Sequence, residues 1–155
     1  DTEWTNMVAA YETLPDDMKT RLEGLVGIHS FNRLKNPRIS VPVLHGHDEE
    51  YYKRSPPDSF HPLVRTHPHT GRKALYLSPR FTIGIKDLDE ADAQALLDEL
   101  FAHIRNRDLV YRHRWNVGDL LLWDNRTTIH LACLGVPEGQ HRRMHRTTVL
   151  GEIPV

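Results

Sequence analysis

Apolar side chains recur at Ala93, Leu96, Leu97, Leu100, Phe101 and Ile104, the i, i+3, i+4, i+7, i+8, i+11 spacing of one broad helical stripe. Asp87-Leu-Asp-Glu90 lies just before it with capping-box spacing, an acceptor followed three residues on by Glu. The pattern predicts a helix over 89–105. Near the start, residues 6–14 predict a short helix with Asn6 or Thr5 as N-cap, so that Asp1-Thr-Glu-Trp4 runs straight into a helical pattern. Pro15-Asp-Asp17 restarts a helix with Met18, Leu22 and Leu25 on one side, ending between Gly24 and Gly27. Residues 63–66 and 73–77 predict strands joined by a turn at Pro68-His-Thr-Gly71. Further strands are predicted over 109–115, 119–124, 127–133 and 142–150.

Between Phe31 and Pro62 the periodicity dissolves among Pro37, Pro42, Pro56 and Pro57. A loop over 31–61 follows, either a lid or binding segment or a plain surface excursion. Helices first and short strands later indicate a mainly β fold with helical decoration, of the α+β class or a decorated β-barrel. No internal repeat is visible.

Composition changes this picture little. The chain has 155 residues, 26 % charged and 39 % hydrophobic, with a formal charge of -1. That is enough for one domain with a core, and it gives no bulk attraction to nucleic acid or an anionic membrane. No apolar run is long enough to span a bilayer, and no signal-peptide pattern occurs. The single cysteine, Cys133, has no internal disulfide partner, which fits a reducing cytoplasm. Asp1 is neither an initiator Met nor part of a targeting sequence, and is expected to be the start of an ordered or retained piece.

Strand alternation sorts the chemistry-bearing residues. Over 127–133, Ile129, Leu131 and Cys133 share one face, and Thr128, His130 and Ala132 the other, so His130 points away from the more apolar side. Over 142–150, Arg142 and Arg146 point the same way, ~13 Å apart at about 3.3 Å per residue. Two guanidinium groups so placed can hold two carboxylate-type anions, each by a bidentate fork. A lone strand histidine is also commonly a hydrogen-bonded structural residue, and two arginines on a strand also make a solvated sheet face.

The string Trp123-Asp-Asn-Arg126, followed by His130 and then by Arg142 and Arg146, separates these alternatives. It resembles the C-terminal signature of the Fe(II)/2-oxoglutarate dioxygenases of the taurine dioxygenase and phenoxyacetate-herbicide dioxygenase family. The resemblance runs from Asp1-Thr-Glu-Trp4 to Leu150-Gly151. It implies a double-stranded β-helix, or jelly-roll barrel, that holds Fe(II) by two histidines and a carboxylate. His130 would be the distal histidine ligand, and Arg142, assisted by the Thr2 hydroxyl, would bind the far carboxylate of 2-oxoglutarate. Arg146 would receive the anionic head of the prime substrate, and Phe81 would stand in the pocket wall. The implied activity is hydroxylation of a small organic anion (a sulfonate, alkyl sulfate or aryloxy-carboxylate) with O₂, releasing succinate and CO₂, in a cytoplasmic enzyme that can form homo-oligomers.

The family's His-x-Asp pair occurs nowhere in these residues. By the resemblance it lies upstream of Asp1, and residues 1–155 are the C-terminal portion of a single domain. A catalytically incomplete barrel that binds anions without redox chemistry is therefore the competing expectation. A hydrolytic or zinc protein drawing on the eleven histidines would need a closed ligand set that these spacings do not supply. His45-Gly-His-Asp48 lacks the family's spacing. His67-Pro-His69 sits in a turn, and His141 and His145 read as structural. Cys133 is expected to be a buried thiol.

Overall fold

The computed structural model describes residues 1–32, 56–133, 139 and 142–153. Elements within them follow in the order β1 (Thr2–Asn6), α1 (Met7–Glu12), α2 (Asp16–Arg21), β2 (Val26–His29), β3 (Ser59–Pro62), β4 (Val64–Thr66), β5 (Lys73–Leu75), β6 (Thr82–Ile85), α3 (Glu90–His103), β7 (Val110–His113) and β8 (Thr128–Ala132). The strands form antiparallel sheets of order β7-β1-β8, β3-β2-β6 and β4-β5. These are small helices on antiparallel sheets, and no closed barrel is formed among the described residues.

The helical stripe behaves as its periodicity predicts. Ala93, Leu96, Leu97, Leu100, Phe101 and Ile104 are all buried, packed with Leu22, Leu63, Ala74, Leu75, Leu77 and Ile85. Its start lies two residues beyond the expected cap. Asp89 is the N-cap, its carboxylate accepting from the Asp92 amide at 3.0 Å. Asp87 instead takes a left-handed conformation (φ 63), which ends the preceding turn. Asn6 caps α1 as expected, its side-chain oxygen accepting from Val8 and Ala9. α2 buries Met18, and Leu22 just beyond it is fully buried.

Several expectations are corrected. Residues 2–6 form the central strand β1, because their backbone groups find ladder partners in both β7 and β8. The predicted loop ends earlier than Pro62, since Ser59–Pro62 pairs with β2; residues 33–55 of it, with His45, His47 and Asp48, lie outside the described residues. Residues 119–124 and 142–150 are not strands, for alternation alone makes no ladder without a neighbouring strand. Leu120 and Leu122, at 94 % and 98 % exposure, have no sheet face to pack on among the described residues. In β2, a Cβ on Gly27 would fall 2.8 Å from Leu63 Cδ2, so any larger residue there would have to displace that buried side chain.

Candidate active site

The register of the β7-β1-β8 sheet divides its side chains between two faces. Thr5 pairs with Val110 and Ile129, and on this face Ile129 packs against the core while Thr5 Oγ1 donates to the Ile104 carbonyl at 3.2 Å. The other face carries Thr2 opposite His113 and Ala132, and Trp4 opposite Tyr111 and His130. Trp4 is buried there at 6 % exposure, among the rings of Tyr111, Trp115 and Trp123 at 5.2–6.3 Å. The Trp123 ring also lies 5.4 Å from His130. This face is an aromatic floor with a hydroxyl and an imidazole on it.

Thr2 and Arg142 meet although they are 140 residues apart. Arg142 Nη2 donates to Thr2 Oγ1 at 3.0 Å, and Trp115 Nε1 donates to the same oxygen at 2.8 Å. Partial burial of the ring, and then the charge of Arg146, hold the His130 imidazole pKa below its ordinary value. His130 is therefore neutral near pH 7, the form in which an imidazole ligates a metal. No described residue gives it a hydrogen-bond partner, so its donor set fits one position of a metal site. Among the described residues no group of three or more His, Cys, Asp or Glu side chains could hold a metal ion, so the remaining ligands are not found there.

Four of the five expected site residues thus gather on or beside one sheet face. Phe81 does not join them. It begins the approach to β6, its ring 5.1 Å from Phe31 and beneath the Arg80 guanidinium, and no contact links it to Thr2, His130, Arg142 or Arg146. Cys133 is half-buried, not buried, because it lies at the end of β8, where its amide donates to the Asp1 carbonyl.

Two further residues escaped the sequence reading. Asp124 joins the His67 turn to the segment entering β8. It accepts from His67 Nε2 at 3.1 Å, from the Arg126 amide at 2.8 Å, and from the Arg126 guanidinium at 2.8–3.1 Å. These donors, Arg126 foremost, hold its carboxyl well below the usual carboxylate range. His67 is accordingly structural, with Nδ1 accepting from the Thr70 amide. The second is Trp115. Its signal was the alternation Tyr111, His113, Trp115, which carries the β7 face one step past the strand end.

The profile of the "Taurine catabolism dioxygenase TauD, TfdA family" matches residues 1–148, and the chain belongs to that family. Among its relatives, the alpha-ketoglutarate-dependent 2,4-dichlorophenoxyacetate dioxygenase of Cupriavidus pinatubonensis is 41 % identical over 133 residues, 84 % of this chain and 43 % of the relative. The alpha-ketoglutarate-dependent sulfate ester dioxygenase of Pseudomonas putida is 36 % identical over 159 residues, covering 100 % of this chain and 52 % of the relative. Among solved structures, AAD-2 in complex with Mn(II) and N-oxalylglycine superposes with a TM-score of 0.70 at 36 % identity, over 83 % of this chain and 49 % of that one. The chain spans about half the length of these relatives. No helix among the described residues is long and apolar enough to cross a membrane.

Proposed function

We propose that this chain carries part of the active site of an Fe(II)- and 2-oxoglutarate-dependent oxygenase acting on a small organic anion. The observation that carries the reading is the Arg142–Thr2 contact on the same sheet face as His130, with Arg146 beside that histidine. Residues 1–155 are read as the C-terminal portion of one such domain. Its sheets would form part of a jelly-roll barrel, and 31–61 would be a loop or lid over it. The named activities of the relatives support a sulfonate, sulfate ester or aryloxy-carboxylate as substrate class. A cytoplasmic location and self-association belong to the same proposal.

Each residue has a role that its chemistry suits. His130 would hold the metal through a neutral imidazole. Arg142 would orient the distal carboxylate of 2-oxoglutarate, for which a planar fork is better matched than a lysine. Thr2 would add a hydroxyl donor to that carboxylate. Arg146 would draw the substrate's anionic head to within reach of His130. The indoles of Trp4 and Trp123 would line this side with apolar surface and exclude water. With its metal bound, the site would oxidise 2-oxoglutarate to succinate and CO₂ with one oxygen atom of O₂, while the other converts a substrate C–H to C–OH.

The test is 2-oxoglutarate affinity and iron content of the Arg142→Ala protein, measured side by side. The affinity should fall more than tenfold, the loss of a charge-assisted fork, with iron content unchanged. Unaltered affinity would remove Arg142 from the 2-oxoglutarate site. A wild-type protein that binds 2-oxoglutarate but releases no succinate with any substrate class named would favour the anion-binding alternative.

A further inference from the structure

We propose that Trp115 is a positioning residue that commits the Thr2 hydroxyl to donating, and so sets the selectivity of the site for a ligand with a distal carboxylate. The proposal rests on the assignment of Thr2 and Arg142 to that carboxylate. A threonine hydroxyl has one proton and two acceptor lone pairs. In this protein both lone pairs of Thr2 Oγ1 are addressed by groups that can only donate, the Trp115 indole N–H at 2.8 Å and an Arg142 guanidinium N–H at 3.0 Å. The hydroxyl's remaining capacity is its own proton, which must go to an acceptor. Thr2 is buried at 6 % exposure, so water has little access to supply one. Beside the positive charge of Arg142, the fitting acceptor is an anionic oxygen.

Trp115 is itself held in place. Its ring stands edge-to-face on His113 at 4.7 Å. His113 Nε2 donates to the Asp119 carboxylate at 2.9 Å, and Nδ1 accepts from the Tyr111 hydroxyl at 3.0 Å. Asp119 also accepts the Asn116 amide at 2.8 Å, closing the turn that follows Trp115. The turn thus fixes His113, His113 fixes the indole, and the indole fixes the hydroxyl. Without the indole N–H, a Thr2 lone pair is freed and the hydroxyl can rotate to accept, so the preference for a carboxylate weakens.

The experiment is calorimetric binding of 2-oxoglutarate and of 2-oxopentanoate, which lacks the distal carboxylate, to the full-length protein loaded with Mn(II). Wild type, Trp115→Phe, Thr2→Val, their double variant and Arg142→Ala are compared. Trp115→Phe should weaken 2-oxoglutarate about tenfold, the usual worth of one hydrogen bond, and leave 2-oxopentanoate unchanged. The double variant should be no weaker than Thr2→Val, since both changes remove one interaction. Equal weakening of both ligands in Trp115→Phe, or effects of Trp115→Phe and Thr2→Val that add, would reduce Trp115 to a packing role and overturn the proposal. Unchanged 2-oxoglutarate affinity in Trp115→Phe, alongside a large loss in Arg142→Ala, would overturn it while sparing the assignment of the site. Unchanged affinity in Arg142→Ala would overturn the assignment itself.

Discussion

Replacing Asp124 by Ala should destabilise the protein by about 2–3 kcal/mol. The larger part comes from His67, whose side chain is only 7 % exposed and would lose the one acceptor its Nε2 proton has among the described residues. An orphaned buried donor costs about 1–3 kcal/mol. The Arg126 pair contributes less, since its members are 29 % and 35 % exposed and water replaces much of what is lost. At about 2–4 °C per kcal/mol for a protein of this size, the melting temperature should drop by roughly 5–10 °C. Circular dichroism melts and urea midpoints measure it. In a double-mutant cycle His67→Ala should add little once Asp124 is gone, because both changes break the same contact. A drop below about 1 °C, or fully additive losses, would refute the account. The sign with pH is also fixed. A carboxyl held below its unfolded value stabilises above that value and loses its contribution as pH falls through the folded one. The gap between wild type and variant should therefore persist from pH 7 to 5, begin to narrow near pH 4, and close only well below the usual carboxylate range.

His29 acts with the same sign in a higher pH window. Burial, and then the neighbouring His61, lower its pKa to about 4, so stability should be full above about pH 6.5 and decline toward pH 4, by at most about 3 kcal/mol before screening. The urea midpoint of His29→Asn should fall less steeply over that window, and parallel curves would refute the assignment. Leu100→Ala, at a fully buried position of the α3 stripe, should cost about 2–5 kcal/mol by denaturant titration. His130→Ala should abolish iron retention in the full-length protein while leaving the melting temperature of the metal-free form within about 2 °C, since the side chain is exposed; retained iron would take His130 out of the metal site.

What was legible in the sequence was local. The α3 stripe has a long enough period to be unmistakable, and parity in β8 placed Ile129 toward the core and His130 away from it. β1 was missed because Thr-Glu-Trp-Thr-Asn is too short to display alternation and ends in a helix cap that captures the eye. Over 142–150 the alternation was present without a strand, since pairing depends on a neighbour the pattern cannot name. The meeting of Thr2 with Arg142 came from family resemblance, as no spacing rule joins positions so far apart. For Trp115 the alternation gave its face but not its partner, since Thr2 lies 113 residues away.

The position of β1 has a consequence for biosynthesis. It is the middle strand of its sheet, yet both neighbours come more than 100 residues later in the chain. Translation at roughly 5–20 residues per second separates Thr2 from Arg142 by about 7–28 s. During that interval Trp4 has no floor to join, and both edges of β1 stand open to any passing strand. The helices and the β4-β5 hairpin draw on nearer segments and can condense earlier, whereas the surroundings of Thr2 close only once Arg142 has been made. The Thr2–Arg142 contact would then form later in synthesis than the contacts that build the core around the helices.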